Sequence, residues 1–464
     1  MSNPFSQCLL ENILTEVDMI NTKEILNLND SIVCSIYQAA EDISNKVVNQ
    51  KEQPKTDWDK KLDNIFTSRI LGFPSMLLLL GMVFWMTIAG ANVPSQMIAA
   101  LLFWGQDRLT DLFYFFHAPD WLHGFFVEGI YRSLAWVVSV MLPPMAIFFP
   151  LFTLLEDIGY LPRVAFNLDR LFKKAGAHGK QSLTMSMGFG CNAAGIVACR
   201  IIESPRERMI AMLTNNFVPC NGRFPTLIAL ASLLVFGMGS TLGATAIVVA
   251  IVLLGIAVTL AVSWSLSKTL LKGVPSSFTL ELPPYRKPQV GSVIIRSVLD
   301  RTLFVLGRAV CVAAPAGAIT WLLANINIGD ISILVYCANV LHPFANLIGL
   351  DGFILMAFVL GLPANEIVLP ILIMSYLSTG SMTELESIQD LYNLFVAEHG
   401  WTWVTVVCTM LFSLLHYPCG TTLWTIRKES GSIKWTVLAA LIPLGIACTA
   451  CFLVAQSARL LGFV

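Results

Sequence analysis

The chain has 464 residues, 56% of them hydrophobic and only 13% charged, with a formal net charge of −1. A soluble protein carries about 25% charged residues, so a water-soluble globule is excluded. The near-zero charge gives nucleic acid no electrostatic hold. The 11 cysteines fall largely in apolar stretches, and the one CxxC, Cys448–Cys451, has no second Cys/His pair at zinc spacing, so neither a disulfide framework nor a structural zinc is indicated.

Residues 1–66 form a polar, soluble helical lead without a signal-peptide pattern. Ile32, Ile36, Ala39, Ile43 and Val47 recur at helical spacing and predict an amphipathic helix. A second short helix through Trp58, Leu62 and Ile65 is expected at the membrane surface. Residues 67–131 read as a first span, Leu71 to Ala91, followed by an aromatic interfacial helix and loop over 95–131. A second span is expected from Arg132 to Asp157. Further spans are expected at about 208–236, 240–268, 400–425 and 435–457, each long enough for a bilayer core of roughly 20 apolar residues. Apolar runs are broken at Gly188 and Gly190, at Pro219, at Pro363 and at Pro418. Broken backbone in a membrane faces protein or a wet cavity.

Positive charge sets the orientation. Lys60, Lys61 and Arg69 put the N-terminus in the cytoplasm, as Arg163, Arg170, Lys173, Lys174 and Lys180 do for the end of the second span. The basic loop 269–301 is then cytoplasmic. Ala309 to Ile426 contains no Lys or Arg and carries Glu384, Glu386, Asp390 and Glu398, which places 378–399 outside and the C-terminus outside.

Two halves, 132–268 and 302–464, repeat one another. Gly188-Phe-Gly-Cys-Asn192 is echoed by Gly361-Leu-Pro-Ala-Asn365, and Phe217-Val-Pro-Cys220 by His416-Tyr-Pro-Cys419. The charge pattern gives the halves opposite orientations. This predicts an all-α polytopic membrane protein of about seven full spans, an inverted repeat with re-entrant or broken helices and a substrate site where the breaks meet. Cys191, Asn192, Cys220, Asn365, Glu366 and Cys419 sit at those breaks and are the candidate metal ligands. Thiolate suits softer divalent metals and carboxylate or amide oxygen harder ones. A lone membrane cysteine is more often a small hydrophobe, but two matched Pro-Cys breaks and an ionisable Glu366 in an apolar run favour function. His416 reads equally as ligand or packed histidine. Glu156 and Asp157 read as an interfacial ion pair near Arg163.

Leu155-Glu-Asp-Ile-Gly-Tyr-Leu-Pro-Arg163, Asp169-Arg-Leu171, Ala177-His-Gly-Lys180, Gly188-Phe-Gly-Cys-Asn192 and Phe217-Val-Pro-Cys220 to Pro225 closely resemble the membrane domain of the ferrous iron transport protein B family. Asn365-Glu366, Tyr417-Pro-Cys419 and Arg427-Lys-Glu-Ser-Gly431 continue the match. The resemblance runs from about residue 31 to the end. It implies two Gate-type halves, Fe2+ as the transported substrate in a prokaryotic cytoplasmic membrane, and no permanently bound cofactor. The family's N-terminal GTPase domain, with its GxxxxGK[ST] loop, has no counterpart in this sequence, so the chain itself is expected not to be an enzyme. Its usual Val-Pro after Gly-Cys-Asn is here Ala193-Ala194, and its usual Lys before the second-half Glu is here Asn365. The partners left open are the divalent metal, membrane lipid, a separately encoded GTPase, a small accessory protein and further copies of the chain. The rival readings are transport of another divalent metal or a nucleoside-like solute, and a membrane scaffold for a separate GTPase.

Overall fold

The computed structural model describes residues 22–47, 58–68, 71–236, 241–273, 285, 289–329, 331–382, 385 and 388–462. Apart from two paired two-residue strands, Asn327–Ile328 and Ile331–Ser332, its regular elements are helices. Six described helices are long and apolar enough to cross a membrane, or seven if a pair bent by 112° is taken as one span.

Two helices, α1 (Thr22–Val47) and α2 (Trp58–Phe66), form the lead. The apolar stripe of α1 exists as predicted, but Ile32, Ile36, Ile43 and Val47 are exposed among the described residues. Helix α3 (Gly72–Phe115) corrects the next expectation. The predicted first span and the first part of the interfacial segment, 95–115, are one helix of 44 residues with Pro94 inside it, and the rest of that segment, 120–131, belongs to the next helix. Proline removes one backbone hydrogen bond, but ending a helix within an apolar stretch would strand several, so the helix continues. The connecting loop is only 116–119, where His117 takes a positive φ of 51°.

From there the chain runs through a series of helices that occurs twice. In the first half these are α4 (Asp120–Ile158), the amphipathic α5 (Tyr160–Lys174), α6 (Gln181–Gly190), α7 (Asn192–Ala198), α8 (Pro205–Thr214), α9 (Phe224–Val235) and α10 (Thr241–Lys268). A short linker helix, α11 (Val290–Arg296), leads to the second half. There the matching helices are α12 (Leu303–Asn325), α13 (Ile333–Leu347), α14 (Gly352–Leu360), α15 (Val368–Leu377), α17 (Trp403–Leu415), α18 (Gly420–Ser430) and α19 (Ile433–Leu460). The second half alone inserts a small helix, α16 (Ile388–Tyr392). Caps mark the starts locally. Ser204 accepts the Glu207 N–H ahead of α8, Asp351 the Ile354 N–H ahead of α14, and Thr402 the Thr405 N–H ahead of α17.

The halves join at α4 and α12. A Cβ on Gly129 would lie 2.9 Å from the Trp321 side chain, and one on Gly317 would lie 2.4 Å from the Gly129 carbonyl. These small residues let two membrane helices approach closely, which is how helices associate without a hydrophobic driving force. The largest buried apolar cluster lies under the second half and reaches α9; two smaller clusters pack beneath α6–α8 and between α3, α4 and α5.

Candidate functional site

Each half contains two breaks. The first is a single extended residue between helices: Cys191, with φ −153° and ψ 124°, separates α6 from α7. Its counterpart Ala364, with φ −149° and ψ 121°, precedes the turn Asn365–Ile367 that leads into α15. Asn192 and Asn365 therefore occupy equivalent places just after the break. The second break carries the Pro-Cys pairs, between α8 and α9 and between α17 and α18. In each half the residue after that cysteine bonds back to the first break. Asn221 donates its N–H to the Gly190 carbonyl at 3.3 Å, and Gly420 donates to the Leu362 carbonyl at 2.7 Å.

All six residues singled out from the sequence meet here. Cys191, Asn192, Cys220, Asn365, Glu366 and Cys419 line one cavity of about 30 Å³, together with Met141, Met145 and Thr421. That volume holds one water molecule or a bare ion. The lining is soft, and two of its amide oxygens are unsatisfied. Asn365 directs its Nδ2 at the Cys220 sulfur, 4.0 Å away, and Asn192 Nδ2 donates to Asn216 Oδ1 at 3.5 Å. The Oδ1 atoms of both Asn192 and Asn365 are buried without a hydrogen-bond partner. A buried amide oxygen left unpaired costs about 1–3 kcal/mol, and here two equivalent ones border the same space. The Cys419 thiol lies 3.2 Å from Thr422 Oγ1. Glu366 packs on Gly222, where a Cβ would fall 2.0 Å from the carboxylate Oε1. Among the described residues no three His, Cys, Asp or Glu side chains are close enough to hold a metal together. The donors surround the cavity without converging on one point.

Arg223, which pattern reading used only as part of a motif, organises the wall behind this cavity. It is 1% exposed. Its Nη1 donates to the Asn216 and Leu414 carbonyls, both at 2.8 Å. Its Nη2 donates to Asn216 Oδ1 at 3.1 Å and to the His416 and Tyr417 carbonyls at 3.3 and 3.2 Å. Carbonyls freed by the breaks of both halves thus share one guanidinium, whose planar fork suits several fixed acceptors. Asn216 adds a second link, donating to the His416 carbonyl at 2.6 Å. The signal was present in the sequence: an arginine inside an apolar membrane stretch is as costly, and as informative, as Glu366.

His416 does not line the cavity. Its Nδ1 faces the Phe412 and Ser413 carbonyls, each at 2.9 Å, so that nitrogen carries the proton, and the ring stacks on Phe412. It is a packed histidine. Arg163 pairs with Asp63 at 3.0 Å and lies over the Tyr285 ring, while Asp157 accepts the Gln289 N–H. The interfacial pairing expected at Arg163 is therefore made with the lead helix α2. Asp63 sits beneath Arg163 because α2 folds back under α5.

The Gate family profile, described as nucleoside recognition, matches the chain twice, over residues 138–234 and 306–433. A second profile, the ferrous iron transport protein B C terminus, matches 248–300. The chain is similar to the Fe(2+) transporter FeoB of Staphylococcus aureus (strain MSSA476), 28% identical over 402 residues, covering 86% of this chain and 59% of the relative. It is similar to the Fe(2+) transporter FeoB of Synechocystis sp., 28% identical over 407 residues, covering 87% and 63%. It also matches a Fe(2+) transport protein A/Fe(2+) transporter FeoB fusion protein of Porphyromonas gingivalis, 27% identical over 459 residues, covering 87% and 52%. The chain thus spans between half and two thirds of these relatives' own lengths. No solved structure matches it. The twofold Gate match coincides with the two series of helices, and together with the C-terminus match it places the chain in the ferrous iron transport protein B family.

Proposed function

We propose that the chain carries Fe(II) across a cytoplasmic membrane, through the cavity where the four breaks meet. The observation that carries this reading is that three thiols, two residues with unsatisfied amide oxygens and one carboxylate line a single cavity the size of one ion. An ion entering there exchanges water for soft sulfur and hard oxygen donors, a mixed set that suits Fe(II) better than Mg(II) or Ca(II). The unpaired Asn192 and Asn365 oxygens are acceptors that cost free energy while empty and are relieved by a cation. Glu366 offsets part of the ion's charge in a medium of low dielectric. Because the donors do not close on one point, the ion is held loosely, and conduction needs binding weak enough to release.

The relatives named Fe(2+) transporters support the substrate. A nucleoside is disfavoured by size, since small-molecule sites enclose about 300–1,000 Å³ and this cavity is about 30 Å³. A scaffold without flux leaves the buried donors without a role. The exposed apolar stripe of α1 is a suitable seat for a separate GTPase, and the fused relative supports a small accessory partner. The lysine and arginine pattern supports a cytoplasmic N-terminus.

The test is anaerobic flux into proteoliposomes of the purified chain, comparing Fe(II) with Mn(II), Zn(II) and a nucleoside. Saturable Fe(II) entry supports the reading. Entry of nucleoside without metal, or no solute movement with any partner protein added, overturns it.

A further inference from the structure

A second and larger cavity, about 240 Å³, lies away from the ion path between α3, α4, α5, α6 and α10. Its lining is apolar but for Ser186 and the hydroxyl of Tyr160. The floor is buried: Phe152, Phe172, Met185 and Phe189 are each less than 5% exposed. The rim is open: Phe73 and Leu77 on α3, Leu171 on α5 and Leu253 on α10 are all exposed. In a membrane-spanning chain those rim residues face hydrocarbon, so the cavity opens sideways into the bilayer between α3 and α10. An apolar space of this kind excludes water, and the surrounding phase supplies acyl chains.

Basic residues follow the lining residues of this cavity along the chain. Helix α5 lays Leu161, Val164, Leu168, Leu171 and Phe172 into it, at helical spacing, and closes with Lys173 and Lys174 in its last turn. Lys173 is engaged by Asp169 at 2.9 Å, whereas Lys174 is exposed and has no ion pair among the described residues. The turn after α5 packs on the last turn of α10, where Gly176 meets Ser267, and Lys268 follows. Two lysines on different helices therefore follow the lining residues at one end of the slot, Lys268 with its ammonium 4.2 Å from the centre of the Trp264 ring.

We propose that this cavity is a lipid site holding one acyl chain of an anionic phospholipid, with its phosphate beside Lys174 and Lys268. The chain lies against Met185 and Phe189 on α6, two residues before the break at Cys191, so it wedges the helix that forms one wall of the ion path. The volume suits a single chain and no folded partner.

The test uses the purified full chain in phosphatidylcholine nanodiscs doped with phosphatidylglycerol that carries a photoactivatable group at mid-chain. Adducts are expected to concentrate on α5 and α6, around Leu168, Phe172, Met185 and Phe189, rather than on the lipid-facing Leu441 and Leu453 of α19. Unlabelled phosphatidylglycerol should compete and phosphatidylcholine should not. Lys174→Gln should lower labelling about fivefold, the effect of one surface lysine on anionic lipid. Ser186→Trp should abolish it by filling the slot; if that variant does not fold, the wild-type adduct map and Lys174→Gln decide the matter. Labelling spread evenly over the lipid-facing helices overturns the proposal, as does equal competition by phosphatidylcholine. So does cross-linking of the cavity residues to a second copy of the chain.

Discussion

Arg223 Nη1 donates to the Leu414 carbonyl across 2.8 Å, joining residues that belong to different halves of the repeat. Leu414 lies in the last turn of α17, where carbonyls have lost their helical partners. The same guanidinium holds the Asn216 carbonyl ahead of the first-half Pro-Cys break. One residue therefore satisfies both interrupted helices in a place where water cannot. Arg223→Ala strands several buried acceptors at about 1–3 kcal/mol each, so it should lower stability by more than about 3 kcal/mol. Arg223→Lys should recover less than half, because an ammonium is a point donor on a flexible stem. Thermal unfolding of detergent-purified protein reads this directly; an alanine variant that melts with the wild type removes Arg223 as the link between halves.

Much of this arrangement was legible because membrane chemistry narrows the choices. The matched Gly-Cys-Asn and Pro-Ala-Asn runs forecast equivalent breaks, and the backbone angles of Cys191 and Ala364 agree within a few degrees. The six polar or thiol residues were chosen for their position at breaks, and breaks in a membrane face a common interior. What the sequence concealed depends on distance along the chain. Arg223 reaches carbonyls 191 to 194 residues away in sequence, and no local pattern announces such partners. The first span, expected to end at Ala91, continues through Pro94 in helix α3 because unpaired backbone costs more in hydrocarbon than a missing bond. The lateral cavity was invisible for another reason: its lining comes from five helices, each of which reads simply as apolar.

The topology is open to direct test. Single cysteines placed in the 269–300 and 378–399 loops of a chain cleared of its accessible native thiols should label oppositely. An impermeant maleimide applied outside should reach 378–399 and leave 269–300 untouched, because Lys and Arg are retained on the cytoplasmic side. The reverse labelling would remove the inverted orientation of the halves.

These 464 residues should not bind GTP by themselves. The 464-residue chain contains no GxxxxGK[ST] run, and without that loop no row of backbone N–H groups cradles the phosphates. Calorimetry with GTP and Mg(II) should give no binding in the micromolar range, and no phosphate release above a buffer blank.

The cavity thiols can be separated from simple packing. Cys220→Ser and Cys419→Ser nearly preserve size while removing the soft donor, so Fe(II) flux should fall by about tenfold or more, with folded yield unchanged. Glu366→Gln should act in the same direction by removing charge, at roughly the 1.4 kcal/mol that corresponds to a tenfold change. Wild-type flux in all three variants would make these residues packing.

Gly222 offers a test of the carboxylate that leaves every candidate ligand in place. A methyl group at residue 222 would lie 2.0 Å from Glu366 Oε1 and 2.5 Å from Cδ, well inside contact distance. The neighbouring Arg223 is anchored by bonds to Asn216, Leu414, His416 and Tyr417, so the backbone at residue 222 has little room to yield. The Glu366 side chain, half-buried and flexible, is the part that moves. Gly222→Ala should therefore push the carboxylate out of the cavity and reduce Fe(II) flux as far as Glu366→Gln does. If Glu366 acts through its charge in the path, adding Gly222→Ala to Glu366→Gln should cost little more, because residues acting on one interaction are not additive. Full multiplication of the two losses in the double variant would mean that Gly222 matters for the backbone alone and that the Glu366 carboxylate works elsewhere.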